Sequence, residues 1–122
     1  RENEAVGYLY QPLHPAILRL IKQVSEACAA NKVPVSLCGE MAADPRYTWV
    51  LVGLGVTELS MHPSAIPVVK HIIRSSSSAD MVALAQQALK ARSGREAEKL
   101  VFDTMMAQFP EHMSHSGGQG EP

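Results

Sequence analysis

Cysteine is scarce in this chain: Cys28 and Cys38 are the only two in 122 residues. A single pair of thiols builds no disulfide framework, and reduced thiols fit a cytoplasmic protein. Excess charge of either sign is missing too. The net charge is -1, so no basic field argues for nucleic acid and no polybasic patch for a membrane surface. No apolar run approaches the length of a bilayer span, and no signal peptide opens the sequence. An initiating methionine is also lacking, so the chain, which begins at Arg1, reads as an excerpt or a processed product.

What is present is ordinary for a soluble globular protein, with 46% hydrophobic and 19% charged residues. The length allows one modest domain or a piece of a larger one. After a polar opening, the cluster Tyr8-Leu9-Tyr10 leads into Gln11-Pro12-Leu13-His14-Pro15, an extended approach followed by a helix start. Ile17, Leu20, Ile21, Val24 and Cys28 then repeat at three- and four-residue steps, one face of an amphipathic helix running to about Ala30. Cys28 continues that stripe, so packing explains it better than chemistry does. Asn31-Lys32 closes the helix, and Pro34 to Cys38 reads as a short buried strand.

The stretch Val35-Ser36-Leu37-Cys38-Gly39-Glu40-Met41-Ala42-Ala43-Asp44-Pro45 organises the rest. It puts a thiol where the strand ends, then a glycine and two carboxylates, then a proline that forces a turn or a helix start. In parallel α/β proteins the strand ends and the loops after them meet substrate. Cys38 is therefore a candidate acid, base or nucleophile; its other reading is a small buried apolar residue. Glu40 and Asp44 could pose as an acid–base pair or as metal ligands, but their loop position favours helix capping and pairing with neighbours.

Tyr47 to Leu54 is a compact apolar helical segment stopped by Gly55, and Val56 to Met61 reads as a second short strand. His62-Pro63-Ser64 begins a helix that runs to Arg74, and Ser78 is a plausible N-cap for the next one. Ser93-Gly94 breaks that helix. A last one spans about Arg95 to Phe109 before Pro110, and the Gly-rich stretch from His112 to Pro122 is expected to be mobile. The order helix, strand, short helix, strand, helices is the rhythm of parallel α/β units with right-handed crossovers. Two strands cannot cover both faces and both edges of a parallel sheet. The expected fold class is thus α/β: the C-terminal portion of a (β/α)8 TIM-type barrel, which when complete takes about 250 residues, followed by extra C-terminal helices. The expected boundaries are barrel portion 1–91, C-terminal helix 92–109 and flexible tail 110–122.

Three ordered stretches carry a family resemblance: Tyr8 to Ile21, the cysteine loop Leu37 to Pro45, and Gly53 to Met61 with Ile66-Pro67. Together they resemble the phosphoenolpyruvate-utilising enzymes, and within them the enzyme I type of the bacterial phosphoenolpyruvate:sugar phosphotransferase system. The resemblance runs from Arg1 to about Leu89 and fades beyond it. It implies a barrel that binds phosphoenolpyruvate and Mg²⁺ at the C-terminal ends of its strands. The phosphoryl group would pass to a histidine on a separate domain and then to a small phosphocarrier protein. By the same resemblance Cys38 protonates C3 of the pyruvate enolate, and Arg1 helps hold the substrate phosphate. The Mg²⁺ ligands and the phosphohistidine would lie elsewhere in the complete protein. None of His14, His62, His71, His112 or His115 sits in the family's phosphohistidine motif.

The resemblance further implies a cytoplasmic homodimer whose phosphocarrier is reached through N-terminal domains absent from this chain. The isolated chain is expected to be inactive. Ala43 stands where the family commonly has glycine; if that position needs a positive φ, alanine costs about 1 kcal/mol and shifts the loop. The alternatives are the C-terminal barrel of a pyruvate phosphate dikinase or phosphoenolpyruvate synthase, and a non-catalytic assembly or regulatory module.

Overall fold

The computed structural model describes residues 3–113. A 3-10 segment, Glu4–Leu9, opens them. Helix α1, Pro15–Ala30, starts at a proline, and the imidazole Nδ1 of His14 accepts a hydrogen bond from the Ala16 N–H at 3.1 Å. It ends in a Schellman turn, with the Val33 N–H bonded to the Cys28 carbonyl (2.8 Å) and the Lys32 N–H to that of Ala29 (3.2 Å). Lys32 takes the left-handed conformation this turn requires, φ 57°.

Strands β1, Ser36–Leu37, and β2, Glu58–Leu59, pair in parallel with Ser36 opposite Glu58 and Leu37 opposite Leu59. Both are shorter than the sequence suggests, and β1 is exposed to half-buried rather than buried. The reason is that each strand has just one neighbour among the described residues, which leaves little ladder to extend the pairing and little to cover the faces. Between them lie the single turn α2, Glu40–Ala43, a 3-10 turn at Pro45–Tyr47, and α3, Thr48–Gly53. Helix α3 also closes in a Schellman turn, here with Gly55 at φ 103°. A 3-10 turn at Pro63–Ala65 leads into α4, Ile66–Arg74.

Helix α5, Ser78–Leu89, is capped by Ser77, whose hydroxyl accepts from the Asp80 N–H at 3.1 Å. Ser78, the N-cap expected from sequence, is the first helical residue; in a run of serines any one could cap, and the backbone uses the residue with extended φ and ψ. Helix α6, Gly94–Gln108, is capped the same way by Ser93 onto the Glu96 N–H (3.1 Å). The Glu96 carboxylate reaches back to the Arg92 N–H (3.1 Å). Pro110–Met113 forms a further helical turn, α7, with Met113 buried, where a tail was expected. The rest of that expected tail, 114–122, lies outside the described residues.

The core is helical. Leu13, Leu18, Val50, Leu51, Ile72 and Leu84 meet Ala97, Val101 and Met105 of α6 and Met113 of α7 in one cluster, so the last two helices share the core of the first elements. Helix α3 packs chiefly against α5, and glycine makes this possible. A Cβ on Gly53 would land on the Met81 carbonyl oxygen. The Trp49 indole N–H donates to Ser76 Oγ at 2.7 Å, and Ser76 Oγ bonds the Ile72 carbonyl, tying α3 to the end of α4.

Helix α1 docks by the side that carries Leu18 and Ser25, with Ser25 against the Gly55 turn. The stripe read from the sequence is the less buried side. Ile17, Leu20 and Val24 are 40%, 57% and 52% exposed, and Ile21 and Cys28 are half-buried. The periodicity is real, but Ile21 alone of the large aliphatic side chains in the stripe packs against the core, and its outer part, Leu20 and Val24, stays more than half exposed. Overall the described chain is a mainly helical structure with a small two-stranded parallel sheet at its side.

Candidate active site

Cys38 follows β1 directly and is exposed, so the buried, purely packing reading of this thiol does not hold. The backbone turns sharply next to it: Gly39 has φ 95° and ψ -166°, and serves as the N-cap of α2. A side chain at this φ would be strained even though nothing stands within 4 Å of where its Cβ would go. Glycine therefore lets the chain leave the strand and enter α2 while Cys38 stays at the strand end.

Concavities open on both sides of the Cys38-Gly39-Glu40 corner. One, of about 350 Å³, has Tyr10, Pro12 and Ile17 on its far wall. The other, of about 460 Å³, is closed by Ser60, Met61 and His62. These last residues follow β2, so the C-terminal ends of both parallel strands meet at the thiol, the edge at which α/β sheets bind ligands.

Both carboxylates of the loop are engaged. Glu40 Oε2 accepts from the Tyr10 hydroxyl at 3.3 Å. The Asp44 side chain caps the Pro45–Tyr47 turn by accepting from the Arg46 N–H (3.0 Å). It also takes a forked pair from the Arg46 guanidinium, Nε at 3.1 Å and the terminal nitrogen at 2.7 Å. That guanidinium lies 4.4 Å from the ring centre of Phe102 on α6. The hydrogen bond to Asp44 holds the Arg46 pKa above its ordinary value, against the opposing effect of burial. Next to it, burial and then the Asp44 charge push the Tyr47 phenol up to about 12.

The sequence of the PEP-utilising enzyme, PEP-binding domain family matches residues 1–78. The chain belongs to the PEP-utilising enzymes. Curated relatives are consistent with this. The chain is 38% identical over 106 residues to a phosphoenolpyruvate-protein phosphotransferase of Haemophilus influenzae, covering 87% of the chain and 18% of the relative. Proteins of the same name from Staphylococcus carnosus and Mycoplasma genitalium are 43% and 45% identical over 101 residues, or 83% of the chain and 18% of each relative. The chain thus spans less than a fifth of the length of these PEP-utilising relatives.

The Mg²⁺ expected for such an enzyme does not fit the residues on hand. Among the described residues no group of three or more His, Cys, Asp or Glu is placed to hold a metal ion. Glu40 and Asp44 face a phenol and a guanidinium instead. Arg1, the expected phosphate ligand, lies outside the described residues. Ala43 closes α2 in helical backbone, and the single non-glycine residue of positive φ among those described is Lys32. The strain foreseen at Ala43 is therefore absent. Among the described residues no helix is long and apolar enough to cross a membrane.

Sequence reasoning missed Tyr10, Arg46 and the Ser60–His62 wall. Their signal was faint. Tyr10 lies 30 residues before its partner Glu40, and pairing at that distance leaves no periodic trace. The Asp44-Pro45-Arg46 spacing was legible as a capped turn, but its contact with Phe102 was not.

Proposed function

We propose that this chain is the cysteine-bearing part of a phosphoenolpyruvate-protein phosphotransferase of the enzyme I type, and that Cys38 is its proton donor. The observation that carries the reading is an exposed thiol at the shared C-terminal end of two parallel strands, open to concavities on both sides. The names of the relatives supply the reaction class. They do not favour a dikinase, a synthase or a non-catalytic module.

Removal of the phosphoryl group from phosphoenolpyruvate leaves the enolate of pyruvate. The Cys38 S–H bond then breaks with its electron pair left on sulfur, the C2–C3 π pair takes the proton to form the new C–H bond at C3, and a lone pair on the enolate oxygen forms the carbonyl. The products are pyruvate and a thiolate, which regains a proton from water. The protein's contribution is orientation, a thiol fixed at a strand end against a walled space. Arg1 would hold the substrate phosphate. Mg²⁺, which would neutralise phosphate charge in the complete protein, would be held by residues other than those described here.

The finer architecture belongs to the same proposal. Strands β1 and β2 would be adjacent strands of a TIM-type barrel portion over residues 1–91, and α6 would be an addition to it. The exposed Ile17–Leu20–Val24 stripe supports this, because a helix packed outside a barrel needs an apolar face against it. In the parent, the phosphocarrier would be met through other domains, the barrel would form a homodimer, and the protein would be cytoplasmic.

The test is pyruvate formation from phosphoenolpyruvate by the complete parent with Mg²⁺ and the phosphocarrier. Activity that collapses in Cys38→Ala supports the reading. An active parent indifferent to Cys38→Ala removes Cys38 from the chemistry, and an inactive, folded parent removes the reaction.

A further inference from the structure

The corner beside Cys38 is held from outside the sheet. Gly39, at φ 95°, sits between the strand end and α2, and its backbone freedom allows α2 to swing. Helix α2 carries Glu40, which walls both concavities. The buried Ala42 side chain opposes such a swing, and so do contacts at both ends of α2. Towards the N-terminus Glu40 takes the Tyr10 hydroxyl (3.3 Å). Towards the C-terminus, Asp44 ends α2 with its N–H on the Glu40 carbonyl (3.1 Å). Its side chain is gripped by the Arg46 fork, whose shortest bond is 2.7 Å. The carbon at the centre of that guanidinium lies over the Phe102 ring, 4.4 Å from its centre. Phe102 in turn meets Tyr47 edge to face, centroids 5.7 Å apart, and stands on α6, beyond residues 1–78 of the family match.

We propose that Arg46 and Phe102 form a positioning clamp through which α6 fixes α2, and so the walls around Cys38. The clamp touches no reacting atom. It acts through Asp44, and it gives α6 a task in the reaction instead of packing alone. Lysine cannot replace Arg46 here, because a point charge on a flexible stem cannot make the two parallel bonds to one carboxylate that fix the guanidinium over the ring.

This inference rests on the reaction proposed above, so its test carries a readout that does not depend on turnover. In the complete parent, kcat and KM for pyruvate formation and the rate of Cys38 alkylation by iodoacetamide are measured for Arg46→Ala, Arg46→Lys, Phe102→Leu and Phe102→Tyr. Val101→Ala, a buried change on the same helix, controls for loss of stability. The clamp predicts about a tenfold fall in kcat and a several-fold change in alkylation rate for Arg46→Ala, Arg46→Lys and Phe102→Leu. Phe102→Tyr, which keeps the ring, should stay near wild type, and Val101→Ala should lower the melting temperature without either effect. Unchanged kcat and alkylation in Arg46→Ala would overturn the clamp, and so would a Val101→Ala variant that loses kcat and alters alkylation to the same extent. A parent that makes no pyruvate would sink the reaction reading alone. The alkylation rates would still decide the clamp.

Discussion

At the scale of the residue, Tyr47 shows how burial becomes pH dependence. Its phenol is pushed up to about 12, first by burial and then by Asp44, whereas an unfolded tyrosine ionises near 10. The folded pKa is the higher one, so the stability it contributes is whole below pH 10. It is lost as pH rises towards 12, because the unfolded chain then binds fewer protons. Urea denaturation should show a loss of about 2 kcal/mol between pH 9 and 12 beyond that of a Tyr47→Phe variant; equal alkaline slopes in the two proteins would contradict this. Ser76 offers a second case. Ser76→Ala would leave the Trp49 indole N–H without its 2.7 Å partner and should cost about 1–3 kcal/mol, which a melting curve will read. The thiol at the end of a strand was legible in the sequence because glycine, carboxylates and proline surround it. Tyr10 and Arg46 were not, since their partners are set by how α2 and α6 pack.

Among the elements, the helix ends are where local rules operate most openly. Lys32 holds φ 57° in the Schellman turn of α1, a conformation that costs a non-glycine residue about 1–2 kcal/mol. Lys32→Gly removes that strain but adds about 0.5–1 kcal/mol of unfolded-chain entropy. The strain outweighs the entropy, so the variant should be more stable by about 0.5–1 kcal/mol; a lower melting temperature would refute the balance. Gly53→Ala should act the other way. Its Cβ meets backbone, the Met81 carbonyl, which cannot rotate aside, so α3 and α5 must part at a cost of about 3 kcal/mol or more. Helices were readable because their period and their breakers are local. The strands were harder, since a ladder of two residues per strand depends on neighbours the pattern cannot name. The apolar stripe of α1 was legible as one face of a helix, but its exposure was not: periodicity says that a face is apolar, not what will cover it.

Across the whole molecule, a barrel completed by further strands in the parent would account for both the exposed α1 stripe and the brevity of the sheet. The chain spans 18% of the length of its curated relatives, and a two-stranded parallel sheet is built to be continued. If further barrel strands lie against α1 in the parent, Leu20→Lys should lower the parent's stability by about 1.5–3 kcal/mol. In this chain, where Leu20 is 57% exposed, the same change should stay within about 0.5 kcal/mol. Equal effects in both would mean that the stripe faces water in the parent as well. The central claim, however, concerns the thiol. Its most direct test is Cys38→Ser in the complete parent, with turnover and substrate binding measured separately. Serine keeps the shape and is a far poorer acid. The expected result is pyruvate formation slowed about 100-fold or more, with the dissociation constant for phosphoenolpyruvate within about twofold of wild type. Weakened binding with undiminished turnover would contradict the role of Cys38 as proton donor.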